Sequence, residues 1–418
     1  MKEKIKLGYI GLGRRGISVL DKNFSRMKDV EITAICDLSL NRMEKARKIV
    51  IENNRHDPIM TTDYKEILQN SDIDAVVIMI GWSGRPKMAV EAMNAGKYTA
   101  IEVGCADTLE ECYDVVEAYE RTGTPIMMLE NCCYGRREMM VLNMVKQGLF
   151  GEIVHCTGGY HHYLNELELF WGIDEDEIEH YRIAKYRDMN RENYPTHELG
   201  PIAKVLNINR GNRFVSLTSF GSKNVGIKSY VKDHFGADSK HAKVDYKQSD
   251  IVNTHITCSN GETVMITLDT TLPRAYYTRN FSVRGTKGMS SEERRVVYLE
   301  GMAEPVENNE EEMYKKYDHP LHAEYVKAGV KEGHGGMDWL VCRAFVEAVK
   351  NGTNTPIDAY DTAAWLAVGA LSEKSIAGGS VAVEFPDFTN GKWKEREPVV
   401  RCKYCLDEIV KDDSVSID

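Results

Sequence analysis

Several features common in other protein classes are missing from this 418-residue chain. No run approaches the roughly 18 consecutive apolar residues of a membrane-spanning helix. There is no basic excess: the net charge is −11, the opposite of what a nucleic-acid or anionic-membrane partner requires. Histidines, cysteines and carboxylates do not gather at metal-ligand spacing. The one C-x-x-C, Cys402 and Cys405, has no second pair near it, so no catalytic metal is expected. There is no internal repeat. Strand-forming residues begin almost at once, leaving no room for a cleavable signal. The expected location is the cytoplasm, where the 10 cysteines are reduced thiols serving mostly as small core residues.

What is present begins with YIGLGRRGISVL, residues 9 to 20. A short buried strand is followed by Gly11, Gly13 and Gly16 at G-x-G-x-x-G spacing and then by a helical run. Gly11 permits the tight turn, Gly13 lets the backbone approach a pyrophosphate, and Gly16 lets helix pack on strand. The helix N-terminus faces the anion. A second strand, VEITAIC, ends in Asp37, roughly 20 residues beyond the glycines, where a carboxylate grips the ribose hydroxyls. Asp37 repels a 2′-phosphate, so NAD is favoured; Arg42 is the nearby residue that would admit NADP.

Strand and helix signals alternate up to about residue 130, with strands at DAVVIMI, YTAIEV and PIMMLEN. The expected fold is an α/β N-terminal Rossmann domain, a doubly wound parallel sheet, over residues 1–135. Its functional groups should collect at the strand C-terminal ends: 81–85, Glu102 and 131–136. Beyond about 153 the strands lengthen and alternate, predicting an α+β domain with a large, mainly antiparallel sheet over 136–395. Residues 303–316 read as an acid-rich exposed loop and 396–418 as a polar C-terminal tail. In GHGGMD, Asp338 reads as the cap of a late helix.

This succession resembles sugar and polyol oxidoreductases of the glucose-fructose oxidoreductase type. Those carry Glu-Lys-Pro after the fifth strand, and the lysine takes the proton from the hydroxyl being oxidised. Here the tripeptide is Glu102-Val103-Gly104, without the lysine. ENCCYGR, GGYHHYL, NYPTHELGP, PRAYY and GHGGMD then resemble glycoside hydrolase family 109, the NAD-dependent N-acetylgalactosaminidases, over roughly residues 5 to 390.

The resemblance implies a retaining glycosidase with tightly bound NAD. Hydride leaves carbon 3, the carbon-2 proton is removed, the aglycone is eliminated, water adds, and hydride returns. It implies cofactor contacts at Arg15 and Gly16, Asp37, the 82–85 loop with Trp82 and Arg85, Glu102, Val103 and Asn131. On the substrate side it implies Tyr160, Arg182, Tyr194, Pro195, Thr196, His197 and Tyr276. Proton shuttling needs groups that change protonation, and Tyr160, His162, His197 and Tyr276 are the candidates; a register slip of one would put Tyr277 in place of Tyr276. The chain departs from the family pattern at Trp82-Ser83-Gly84-Arg85, where Trp-x-Trp-His is common. It departs again at Tyr163, where aspartate is common, and at Glu198, where glycine follows YPTH. The loop at 82–85 then reads as smaller and more cationic at the pocket mouth.

The expected partner is a small glycoside, with homo-oligomerisation through the antiparallel sheet by fold analogy. Two other readings stand beside this one. An ordinary NAD-dependent sugar or polyol dehydrogenase would release NADH with its product. A non-catalytic sugar or NAD sensor would bind without turnover.

Overall fold

The computed structural model describes residues 3–170, 180–303, 307–329, 334–398 and 402–409. The β-branched N-terminal runs form six strands: β1 (Ile5–Ile10), β2 (Val30–Cys36), β3 (Ile59–Thr61), β4 (Ala75–Ile78), β5 (Tyr98–Ile101) and β6 (Ile126–Met128). All pair in parallel in the order β3-β2-β1-β4-β5-β6. Helices cover both faces, so β4 and β6 are buried at every position and carry continuous apolar runs instead of alternation. This is the doubly wound sheet expected, and the cleft lies outside its strand C-termini.

The second sheet has eight strands: β7 (Ile153–His161), β8 (Phe214–Gly221), β9 (Ile251–Cys258), β10 (Thr263–Asp269), β11 (Ser282–Gly285), β12 (Gly288–Ser291), β13 (Val296–Leu299) and β14 (Val383–Glu384). Their order is β13-β12-β11-β7-β10-β9-β8-β14. It is antiparallel except for the central β7–β10 pair, which is parallel. Burial alternates along β9 and β10, as in a sheet with one face on the core. The helix Ala359–Ala377, buried at most positions, packs on both the helix Leu109–Thr122 and β8 and so joins the two sheets. Its Ser372 hydroxyl accepts the Glu192 N–H at 2.9 Å, fixing the segment that leads into the site.

Two local expectations are corrected. Within 303–316, Glu310–Tyr317 is a helix, not a loop. Met313 and Tyr314 are buried, and Glu310 receives Arg137 Nη2 at 2.9 Å, so the acids flank an apolar face. Of the tail expected over 396–418, residues 399–401 and 410–418 lie outside the described residues. Between them Tyr404, Cys405 and Leu406 are buried. Asp407 lies 3.1 Å from Lys204 and 2.8 Å from Arg210, both buried cations. The polar look of this stretch comes from a side chain that neutralises charge inside the fold. Among the described residues no helix is long and apolar enough to cross a membrane.

Candidate active site

The turn after β1 is shaped by backbone contact. Gly11 has φ 95°, and a Cβ there would lie 2.7 Å from the Met79 backbone; at Gly16 it would lie 2.2 Å from the Gly11 carbonyl. At Gly13 a Cβ would meet nothing within 4 Å, so the cradle is open on that side. The helix Arg14–Lys22 starts here without a side-chain cap or an acid in its first turn, which leaves its N–H groups for an anion. Asp37 sits at the end of β2, its carboxylate accepting Leu12 N–H at 2.6 Å and Ser39 N–H at 2.9 Å. Arg42 Nη1 is 3.9 Å away. An open cradle, an uncapped helix and an acid beside them fit a dinucleotide.

Further along the strand ends, Arg15 Nε donates to Glu102 Oε2 at 3.0 Å, and Asn131 is buried after β6. Trp82 and Arg85 are each only 1% exposed, which corrects the expectation of a cationic mouth. The Arg85 guanidinium turns inward, donating to the Val103 carbonyl at 2.7 Å, and burial lowers its pKa. Gly104, at φ 144°, passes so close to the Trp82 indole that a Cβ would lie 2.3 Å from its Nε1. Where the oxidoreductases have Lys-Pro, this chain has a buried valine and a glycine pressed by tryptophan. No amine stands at that position.

The substrate-side residues come from three elements and the segments that adjoin them. β7 carries Tyr160 as its penultimate residue, with His162 just beyond its end, and the helix Tyr181–Asp188 carries Arg182. Tyr194 and Pro195 lead into the helix Thr196–Val205, whose first turn holds His197. Tyr160 and Tyr194 lie ring to ring at 4.3 Å, and the Arg182 guanidinium sits 4.8 Å from the Tyr194 ring centre and 6.0 Å from that of Tyr160. Arg182 Nη1 pairs with Glu168 at 3.1 Å. The Tyr160 hydroxyl is 3.0 Å from His162 Nδ1. Burial raises the Tyr160 pKa despite Arg182, so the phenol keeps its proton beside the imidazole.

Tyr277, not Tyr276, meets this group. Its ring lies 5.0 Å from His162 and 6.2 Å from Tyr160, whereas Tyr276 is 60% exposed. Both tyrosines lie in the connection between β10 and β11, where the chain turns the Tyr277 ring toward His162. Sequence reasoning did not single out Glu130. It is fully buried, and its Oε1 lies 2.8 Å from His197 Nδ1 while accepting the Cys132 N–H at 3.0 Å. A carboxylate only accepts, so Nδ1 carries the hydrogen and Nε2, 3.3 Å from the Tyr194 hydroxyl, is the basic nitrogen. Burial opposes ionisation of Glu130, but His197 and the Cys132 N–H outweigh it and its pKa falls below the ordinary value.

Behind His197 lie two more buried carboxyls. Glu192 Oε1 accepts the Tyr194 N–H at 3.1 Å, and its pKa is pushed up to about 8 by burial. Glu198 has both oxygens buried without a hydrogen-bond partner; burial first, then Glu192, raises its pKa. Its Cβ fills the space that a side chain on Gly158 would need, 2.6 Å from the built position. Among the described residues one group has ligand atoms at metal-binding separation, Glu130, Cys132 and His197. Glu130 and His197 are already bonded to each other, and burial holds the Cys132 thiol protonated, so the trio is a hydrogen-bonded unit.

A parallel dinucleotide sheet followed by a mainly antiparallel sheet, with a tyrosine and histidine cluster facing the first sheet's strand ends, defines the architecture of NAD-dependent sugar and polyol oxidoreductases. Residues 5–129 match the oxidoreductase family with an NAD-binding Rossmann fold. The fold is shared with levoglucosan dehydrogenase in complex with NADH and levoglucosan, at TM-score 0.68 and 18% identity over 92% of this chain and 100% of that one. It is also shared with scyllo-inositol dehydrogenase from Lactobacillus casei, at TM-score 0.62 and 17% identity over 92% and 99%. Residues 134–395 match the C-terminal domain of glycosyl hydrolase 109. An alpha-N-acetylgalactosaminidase of Tannerella forsythia is 40% identical over 94% of this chain and 88% of its own length. A glycosyl hydrolase family 109 protein of Stenotrophomonas maltophilia is 39% identical over 95% and 91%. The chain belongs to glycoside hydrolase family 109, and it is a glycosidase built on an NAD-binding domain.

Proposed function

We propose that the protein hydrolyses N-acetylgalactosaminides, with retention, through transient oxidation at carbon 3. One observation carries this reading: two imidazole-centred proton relays, Glu130–His197 and Tyr160–His162, face the cofactor's strand ends where Val103 and Gly104 leave no lysine. The N-acetylgalactosaminide class comes from the Tannerella forsythia relative.

The chemistry supplied by bound NAD is reversible hydride acceptance, which makes the carbon-2 proton acidic while carbon 3 is a ketone. Arg15 and Gly16, Asp37, Glu102, Val103 and Asn131 are its proposed contacts, with Trp82 and Arg85 supporting the strand ends from beneath. His197 Nε2, left as the acceptor nitrogen by the tautomer that Glu130 selects, takes the carbon-3 hydroxyl proton and later returns it. The Tyr160–His162 pair receives the carbon-2 proton, with the phenol as the contact and the imidazole as the acceptor behind it. Arg182, ion-paired to Glu168 and stacked on Tyr194, fixes one face of the sugar. Tyr277 closes the other side, in the role expected of Tyr276. Tyr194, Pro195 and Thr196 shape the loop between. Loss of the aglycone as its alcohol and addition of water to the enone complete a hydrolysis with no net redox change, unlike the two-carboxylate route.

Turnover of paired α- and β-linked p-nitrophenyl N-acetylgalactosaminides tests this, following nitrophenol and NADH absorbance together. Many equivalents of nitrophenol without accumulating NADH support the proposal. Accumulating NADH with free sugars and no cleavage replaces it with the dehydrogenase reading; binding of NAD and sugar without either product leaves a sensor.

A further inference from the structure

Arg15, Glu102 and Asn131 come from the C-terminal ends of β1, β5 and β6, and one residue from far along the chain ties them together. Asp338, in the first turn of the helix Met337–Asn351, is 3% exposed. Its Oδ2 accepts Arg15 Nη1 at 2.8 Å, and its Oδ1 accepts Arg15 Nη2 at 2.8 Å and Asn131 Nδ2 at 2.7 Å. Arg15 Nε is meanwhile held by Glu102. The expected role as helix cap is corrected, because the cap position belongs to Gly336. Gly336 has φ 98° and lies against the Tyr325 ring, where a Cβ would come within 2.3 Å. That close approach starts the helix in an orientation that aims Asp338 at the dinucleotide site.

A bidentate carboxylate fixes a guanidinium in rotation as well as position. Burial works against the charge on Arg15, yet Glu102 and Asp338 raise its pKa, so the guanidinium stays charged. Two carboxylates, Glu102 and Asp338, thus meet the one guanidinium of Arg15. Oxidised nicotinamide is a cation and reduced nicotinamide is neutral. A negative group at short range distinguishes them, and more strongly out of water than in it.

We propose that Asp338 is a positioning residue of the cofactor site, one that orients Arg15 and Asn131 and, with Glu102, biases the site toward the oxidised dinucleotide. The inference rests on the NAD-binding role of the N-terminal domain. It assigns to the second domain a direct hold on cofactor affinity, and it gives the GHGGMD segment a function that helix capping does not.

The test measures NAD⁺ and NADH affinity separately, by calorimetry and by NADH fluorescence, on cofactor-stripped full-length protein and its Asp338→Asn variant. The expected result is a loss of NAD⁺ affinity about tenfold greater than the loss of NADH affinity. For this two-electron couple that is a rise of about 30 mV in the potential of the bound cofactor. Asp338→Glu keeps the charge and should keep the NAD⁺/NADH ratio within twofold while weakening both. Equal losses in Asp338→Asn, or none, overturn the inference. Should Asp338→Asn fail to fold, a ratio changed more than twofold in Asp338→Glu overturns it, and an unchanged ratio supports it. Failure of the unsubstituted protein to bind either dinucleotide would overturn the cofactor role itself.

Discussion

His197 presents Nδ1 to the Glu130 carboxylate at 2.8 Å, and that carboxylate is closed off from water. The pair fixes which imidazole nitrogen can take a proton. Glu130→Gln keeps the shape but can present an N–H to Nδ1, favouring the opposite tautomer. We expect kcat on the p-nitrophenyl glycoside to fall about a hundredfold or more while NAD affinity changes little. Unchanged kcat would show that His197 needs no buried partner.

The two adjacent tyrosines after β10 provide an internal control. Tyr277→Phe removes the hydroxyl, hydrogen-bonded to Arg279, of a ring packed against Tyr160 and His162, and is expected to cost about tenfold in kcat/KM, the worth of one good hydrogen bond. Tyr276→Phe, altering a side chain 60% exposed, should stay within twofold. Equal effects in steady-state kinetics would put both rings outside the site.

Glu192 makes stability depend on pH. Its folded pKa, about 8, lies above the unfolded value near 4.3, so the folded state binds the extra proton between them. The stabilisation is complete below the unfolded value and is lost as pH rises through about 8, at about 1.4 kcal/mol per unit at most. Thermal unfolding across pH 5 to 9 should show Tm falling, and Glu192→Gln should flatten the slope. Glu198 is raised in the same direction, so Glu198→Gln should also be best tolerated at the alkaline end. A Tm slope that Glu192→Gln and Glu198→Gln leave unchanged would mean that both carboxyls ionise freely.

The buried C-terminal segment predicts a large effect from a small charge change. Asp407→Asn leaves Lys204 and Arg210 with less negative charge in the interior, although Asp361 remains 2.7 Å from Lys204 and 2.9 Å from Arg210. Breaking a buried pair costs about 3–5 kcal/mol, and the shared partner should hold the loss toward the lower end. Urea unfolding measures it directly; a cost below about 0.5 kcal/mol is what an exposed tail would give.

Much of the fold was legible because local chemistry dictated it. The three glycines and Asp37 are required by turn geometry and charge, and continuous apolar runs distinguish β4 from the alternating β9. The site was harder to read. Glu130 and Asp338 act through partners 67 and 207 positions away, and neither lies in a pattern with a period. The choice between Tyr276 and Tyr277 turned on the path of the connection between β10 and β11, which carries no periodic signal. The segment 402–407 misled because a buried charge pair has the same composition as a solvated surface.

Tyr181 lies on Gly81, where a Cβ would be 3.1 Å from its ring, and edge-on to Trp82 at 5.2 Å. It belongs to the helix that carries Arg182. With the sites as proposed, the sugar and the dinucleotide share one piece of wall, and moving it for one would expose the other. For an ordinary dehydrogenase such sharing is convenient, since both products leave each cycle. Under the reaction proposed here the hydride goes out and comes back behind that wall. The rate of such a catalyst follows its glycoside supply and is insulated from the ratio of oxidised to reduced nicotinamide in the surrounding pool.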